Sequence, residues 1–335
     1  MKKRFLAMLL AIMMIISLLP TAAFAEEGPF ATVNGTEYTD FAAAAVAGIK
    51  EAIEGAGHEL ALLEKYTEKA QLLEAVADVD AIIIRSDKID AEVMDAAKQL
   101  KIVVRAGAGY DNVDLAAATA HNVVVENTPG QNANAVAELV LGLLVFTVRN
   151  FYNGKAGSEL MGKTLGILAF GNVGRNVARI AKGFGMNVCA YDAYCPAEAI
   201  EAAGVKACAS QADLFKEADI VSLHIPATAE TKQSINYDLC NTMKKGAILI
   251  NTARKEVIDE AGVMQLMEER PDFKYIADVK PAAADQFVEK FGTRVFFTPK
   301  KSGAQTAEAN SNAGIAAAKQ SCGFLKDGID RFRVN

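Results

Sequence analysis

The segment Thr164-Leu-Gly-Ile-Leu-Ala-Phe-Gly-Asn-Val-Gly-Arg175 limits the folds open to this chain more than any other. A run of strand character enters a glycine-bearing turn, and a helical pattern follows over residues 176–184. That order opens a βαβ unit in which N–H groups at a helix N-terminus face an anion. Gly171 lets main chain approach a pyrophosphate, and Gly174 permits close packing of helix on strand. Where the G-x-G-x-x-G fingerprint has its first glycine, this chain has Ala169, expected to fit only if the turn keeps a negative φ there. Asp192 ends the next strand, 18 residues after Gly174. A carboxylate at about that spacing receives ribose hydroxyls and repels a 2′-phosphate, which points to NAD in preference to NADP. The cofactor-binding expectation here covers Ala169, Gly171, Asn172, Val173, Gly174 and Asp192.

The rest of the chain repeats the same alternation. Strand patterns at 59–63, 81–85, 101–105 and 123–126 are interleaved with helical patterns at 41–55, 67–77 and 91–100. A second series has strands at 164–169, 187–191, 220–224, 247–251, 275–276 and 295–298, and a closing helix at 307–326. Alternating short strands and helices imply parallel βαβ units, hence an α/β class with two parallel-sheet domains. Residues 132–151 form a helical pattern that is apolar around its circumference. Such a helix is either internal to a core or a subunit interface, so a homodimer is expected.

A length of 335 residues leaves room for two domains. Net charge is −6, and no basic cluster occurs beyond the first four residues, so nucleic acid is not an expected partner. An anionic ligand must then be held locally, by a few placed arginines. The cysteines (Cys189, Cys195, Cys208, Cys240, Cys322) are irregularly spaced and lack a CxxC pair, which reads as reduced thiols. His58, His121 and His224 are far apart, and no metal site is expected. The N-terminus points elsewhere. Met1-Lys-Lys-Arg4, an apolar run over 5–19 broken only by Ser17, and Ala23-Phe-Ala25 before Glu26 form the three parts of a secretory signal peptide. Cleavage after Ala25 and passage through the secretion machinery are the expectation for residues 1–25, whereas the thiols suit a reducing compartment.

Three arginines follow strands: Arg85 with Ser86, Arg105 before Ala-Gly107, and Arg254 in Ile-Asn-Thr-Ala-Arg-Lys-Glu-Val257. In an open parallel sheet the C-terminal strand ends face the ligand crevice. A guanidinium there grips a carboxylate or phosphate in two-pronged fashion.

From about residue 41 onward, the pieces IIIRSDKID, VVRAGAGYDNVDL, ENTPGQNANAVAEL, the glycine turn, VSLHIPATAET, INTARKEVIDE, ADV and FFTPKKSGAQTAEAN stand in a familiar order. The chain resembles the D-isomer-specific 2-hydroxyacid dehydrogenases, and within them the phosphoglycerate dehydrogenases. The resemblance implies two doubly wound domains. A flavodoxin-like substrate domain takes 41–128 and 303–335, a Rossmann cofactor domain takes 129–302, and their cleft closes over the reactants. Family members open with an apolar strand before the segment matching 41–50. Here 31–38 holds that place, so 26–40 reads as a linker or an altered first strand. The implied roles are Arg254 on the carboxylate–carbonyl unit, Gly107 offering backbone N–H groups, and Arg85, Ser86 and Arg105 on the anionic groups of a small 2-hydroxy acid. Asp278 is implied at the nicotinamide carboxamide, with His224, Pro226 and Thr252 lining the cofactor.

The implied activity is NAD-dependent oxidation of 3-phosphoglycerate to 3-phosphohydroxypyruvate or its reverse, the first step of serine synthesis. Alternatives are an enzyme of the glyoxylate or hydroxypyruvate type, or a non-catalytic exported NAD-fold protein. No serine-sensing domain follows residue 335, so feedback through one is not expected.

Two positions depart from the family pattern. The histidine after Thr-Pro is replaced by Lys300, and the downstream glutamate falls in Pro281-Ala-Ala-Ala284. The paired loss is coherent, and it matches a branch of phosphoglycerate dehydrogenases with lysine in that place. A histidine needs the carboxylate to orient it and to stabilise its charge, whereas a lysine is cationic at neutral pH without one. Lys300 is thus expected to donate a proton during ketone reduction and accept one during alcohol oxidation, with Lys301 as the adjacent alternative.

Overall fold

Strands buried on both faces of a parallel sheet need unbroken apolar runs. The chain supplies them, as in Ala81–Ile84 and Ile220–Leu223, where every residue is buried. The computed structural model describes residues 4–8, 31–33, 36–38, 41–63 and 66–335. These fall into two compact units, Met1–Asn132 with Thr306–Asn335, and Ala133–Gln305.

The strands of the first unit are β1 (Arg4–Met8), β2 (Ala31–Val33), β3 (Thr36–Tyr38), β4 (Glu59–Leu63), β5 (Ala81–Ile84), β6 (Ile102–Arg105) and β7 (Val124–Asn127). Its main sheet has the order β4-β1-β5-β6-β7, with every neighbouring pair parallel. The helix Ala307–Asp327 returns to pack against the helix Phe41–Gly55, and glycines make the approach close. A Cβ on Gly48 would lie 2.6 Å from Ile315, and one on Gly314 would lie 2.8 Å from Ile49.

One assignment is corrected here. The place between β4 and β5 is filled by Arg4–Met8, not by 31–38, which folds instead into the antiparallel hairpin β2–β3. Residues 4–8 belong to the run read as a signal peptide, and the cleavage site after Ala25 lies outside the described residues. Both assignments draw on one property, a continuous apolar stretch, which a central parallel strand and a signal core equally require.

The second unit contains β8 (Thr164–Leu168), β9 (Asn187–Tyr191), β10 (Lys206–Ala207), β11 (Ile220–Leu223), β12 (Ile248–Asn251), β13 (Lys274–Ala277) and β14 (Val295–Phe297). Their order, β10-β9-β8-β11-β12-β13-β14, is all parallel and reverses direction between β8 and β11. Ligands of doubly wound sheets bind at such a switch point, beyond the strand C-termini. Two apolar clusters cover the faces, one around Phe215, Phe273 and Phe287, the other around Leu144, Phe170 and Ile250. The apolar helix Ala133–Val148 contributes Val140, Leu141 and Leu144 to the second cluster. It stops three residues short of the expected end. Asn150, Phe151 and Tyr152 turn through left-handed conformations (φ 50°, 56° and 55°), and the Phe151 ring stacks 6.0 Å from that of Phe296.

Candidate active site

The turn after β8 does not keep a negative φ. Ala169 stands at φ 75°, contrary to expectation. The helix Asn172–Gly183 comes so close to this turn that a Cβ on Gly174 would collide with the Ala169 carbonyl. The alanine therefore accepts the left-handed conformation usually left to glycine. Gly171 is the N-cap and brings no side chain to the end of the helix, so the first N–H groups, including those of Asn172 and Val173, remain open to an anion. A Cβ on Gly171 would meet nothing within 4 Å, which leaves that approach clear.

Asp192 sits just past β9 and closes the turn from the other side. One carboxylate oxygen accepts the Phe170 N–H at 2.6 Å, and the other accepts the N–H groups of Tyr194 (2.7 Å) and Cys195 (2.9 Å). Beside it opens a cleft of about 400 Å³ lined by Gly171, Asn172, Arg175, Asp192 and Cys195 among others. Arg175 and Cys195 escaped the sequence reading. The guanidinium lies 4.7 Å over the Phe170 ring and donates to Cys195 Sγ at 3.3 Å, contacts that motif spacing does not signal.

Across the switch point His224 follows β11. Its backbone N–H bonds the Leu168 carbonyl at 2.9 Å, and its Nε2 lies 2.9 Å from Ser222 Oγ. Burial lowers its pKa to about 3, so the imidazole is neutral at ordinary pH. Pro226 is exposed, and its carbonyl accepts the Thr231 hydroxyl at 2.6 Å. Thr252 follows β12, and its hydroxyl is buried without a hydrogen-bond partner. An orphaned buried hydroxyl and an open glycine turn on the same strand-end face are what a dinucleotide would complete.

Three neighbouring strands end level with one another: Asn251 pairs with Ala277, and Ala277 with Phe297. Arg254 and Lys300 each lie three residues beyond those ends on the outer two strands. Both side chains are exposed. Asn251 shapes the arginine loop, its amide donating to the Arg254 carbonyl and its oxygen accepting the Ala253 N–H, both at 2.9 Å. Asp278 lies between them, one residue past the middle strand and fully buried. Its carboxylate accepts from Thr298, Ser302 and Gly303. Glu260 also went unread. It accepts the N–H groups of Ala282 and Ala283, both at 2.8 Å, and so pins the turn after Pro281.

The first unit gathers its own set. Arg85 follows β5 and Arg105 ends β6, one step apart in register. Gly107 stands at φ 144°, a conformation that favours glycine, and both guanidinium groups lie where a Cβ on it would be. Arg85 donates to the Ala106 carbonyl at 2.6 Å and to Asn310 at 2.8 Å, while Arg105 Nε is buried without a partner. Burial, and then the adjacent Arg85, lower the Arg105 pKa to about 10. Among the described residues neither guanidinium forms a salt bridge. Two half-buried cations held together in this way attract an anion. Ser86 is exposed in the bend after Arg85.

The model of the D-isomer specific 2-hydroxyacid dehydrogenase NAD binding domain matches residues 147–299. A D-3-phosphoglycerate dehydrogenase of Methanocaldococcus jannaschii is 36% identical over 274 residues, which is 75% of this chain and 51% of that protein. The chain thus spans about half the length of that relative. A hydroxypyruvate reductase of Thermotoga maritima is 38% identical over 279 residues, 77% of this chain and 88% of that protein. Among solved structures, the NAD+-bound 3-phosphoglycerate dehydrogenase of Entamoeba histolytica superposes with a TM-score of 0.77 at 41% identity, covering 100% of this chain and 99% of that one.

Proposed function

The chain belongs to the D-isomer-specific 2-hydroxyacid dehydrogenases, and from that premise we propose that it interconverts 3-phosphoglycerate and 3-phosphohydroxypyruvate with NAD. The observation that carries this reading is the arginine pair around Gly107. A phosphorylated substrate needs a dedicated anion site, and Arg85 with Arg105 gathers two cations around Gly107 within the first unit.

Gly171, the open helix N-terminus and Asp192 would hold the dinucleotide, with Thr252 supplying a hydroxyl. Bound NAD supplies the acceptor for the hydride lost from the hydroxyl-bearing carbon. Arg254 grips the carboxylate and polarises the neighbouring C–O bond. In oxidation the neutral Lys300 amine takes the hydroxyl proton, and in reduction its ammonium form returns that proton to the carbonyl oxygen. An amine needs no carboxylate to orient it as an imidazole does, which is consistent with the alanines at 282–284.

The Thermotoga relative, which this chain matches over most of its length, favours a second reading in which the preferred substrate is unphosphorylated hydroxypyruvate. NADH consumption with 3-phosphohydroxypyruvate, hydroxypyruvate and glyoxylate separates the two. Because a charge-assisted contact contributes about 1.5–3 kcal/mol, kcat/KM should favour the phosphorylated substrate by roughly 10- to 100-fold. In Arg105→Met that preference should collapse. Equal or greater kcat/KM on hydroxypyruvate would overturn the phosphoglycerate reading and support the second one.

A further inference from the structure

We propose that Asp278 is a positioning residue for Lys300, acting through the main chain on both sides of it. The proposal rests on the reading of Lys300 as the proton relay and adds what holds that amine in place.

Asp278 directly follows β13, and its own N–H is bonded to the Asn251 carbonyl at 3.0 Å, so its backbone is fixed to the adjacent strand end. Its side chain is completely buried. One oxygen accepts the Thr298 hydroxyl at 2.9 Å and the Ser302 N–H at 2.7 Å, and the other accepts the Gly303 N–H at 2.8 Å. Thr298 opens the segment that bears Lys300, and Ser302 with Gly303 closes it. One carboxylate thereby clamps the segment two residues before Lys300 and again two and three residues after it. Within the clamp the Ser302 hydroxyl donates to the Lys300 carbonyl at 2.8 Å.

The lysine side chain is exposed and long, so little of its placement comes from packing. Its backbone must supply the precision that a packed imidazole would otherwise bring. Position 303 is built for this contact. A Cβ there would stand 3.0 Å from the Asp278 oxygen and 3.3 Å from Val136, so a side chain would push the main chain off the carboxylate. An asparagine at 278 keeps the shape but turns one acceptor into an N–H₂ donor facing a backbone N–H, and one end of the clamp is lost.

The test is a double-mutant cycle on purified full-length chain, with NADH and 3-phosphohydroxypyruvate. Asp278→Asn and Gly303→Ala should each lower kcat on the order of 100-fold, the loss typical of a reacting group misplaced by about 1 Å. KM for the keto acid should change far less. In a Lys300→Ala background neither substitution should lower kcat further, because there is no amine left to misplace. Thr298→Val removes one donor only and gives a milder variant should the others fold poorly. Without nucleotide, hydrogen exchange over residues 298–305 should be faster in Asp278→Asn than in wild type. If Lys300→Ala alone leaves kcat intact, the relay reading fails. If Lys300→Ala is inactive but the losses multiply, or exchange over 298–305 is unchanged, the relay stands and the positioning role is overturned.

Discussion

Ala169 carries the clearest local strain in the cofactor turn. A non-glycine residue in the left-handed region costs roughly 1–2 kcal/mol, and Gly174 pressed against the Ala169 carbonyl keeps the turn from relaxing. Ala169→Gly should therefore stabilise the protein by about 0.5–1 kcal/mol, the relief being partly offset by greater entropy in the unfolded chain. Urea unfolding checks this, and a loss of stability would contradict the strain. Much at this scale was legible beforehand. The place of Asp192 just past β9, and of Arg85, Arg105 and Arg254 at or after strand ends, followed from spacing and strand pattern. The engagement of Asp278 with Ser302 and Gly303 was not, because those partners lie 24 and 25 residues further along the chain. Nor was Glu260, whose carboxylate accepts two main-chain N–H groups more than 20 residues further along the chain. Periodicity and motif spacing carry no record of such contacts.

Among the elements, strands with continuous apolar runs were the most readable, and β5, β6, β11 and β12 fall within a residue of their expected limits. Helix ends were less so. The pattern over 91–100 gives only Ala91–Ala96, because the chain leaves helical geometry at Ala97 (ψ 71°). The first strand was misplaced altogether, since β1 and a signal core share one composition. Its position has a consequence. β4 pairs with the main sheet only through β1, and removing β1 leaves β4 and β5 two strand spacings apart, about 9.6 Å. A chain lacking residues 1–25 should lose cooperative unfolding of the first unit and its turnover. It should still bind NADH, because the two clusters covering the sheet of the second unit draw only on residues of that unit. Urea unfolding followed by hydrogen exchange, beside an NADH titration, reads both effects. Unchanged stability and turnover would show that β1 is dispensable and that the N-terminal run serves export alone.

At the scale of the molecule, an acidic chain of net charge −6 handles anions through a few placed groups. In the second unit the groups proposed for this are an open helix N-terminus and Arg254, and in the first the arginine pair at Gly107. The fold supplies strand ends at which they stand, and the proposed chemistry has one amine, that of Lys300, doing what a histidine–glutamate pair does in the family pattern. Turnover and NADH affinity measured together on Lys300→Ala test that most directly. NADH should bind within about twofold of wild type, while kcat should fall by on the order of 100-fold or more, the usual worth of a general acid–base group. Partial recovery with an added small primary amine is also predicted. Wild-type turnover in the variant would contradict the proposed role of Lys300.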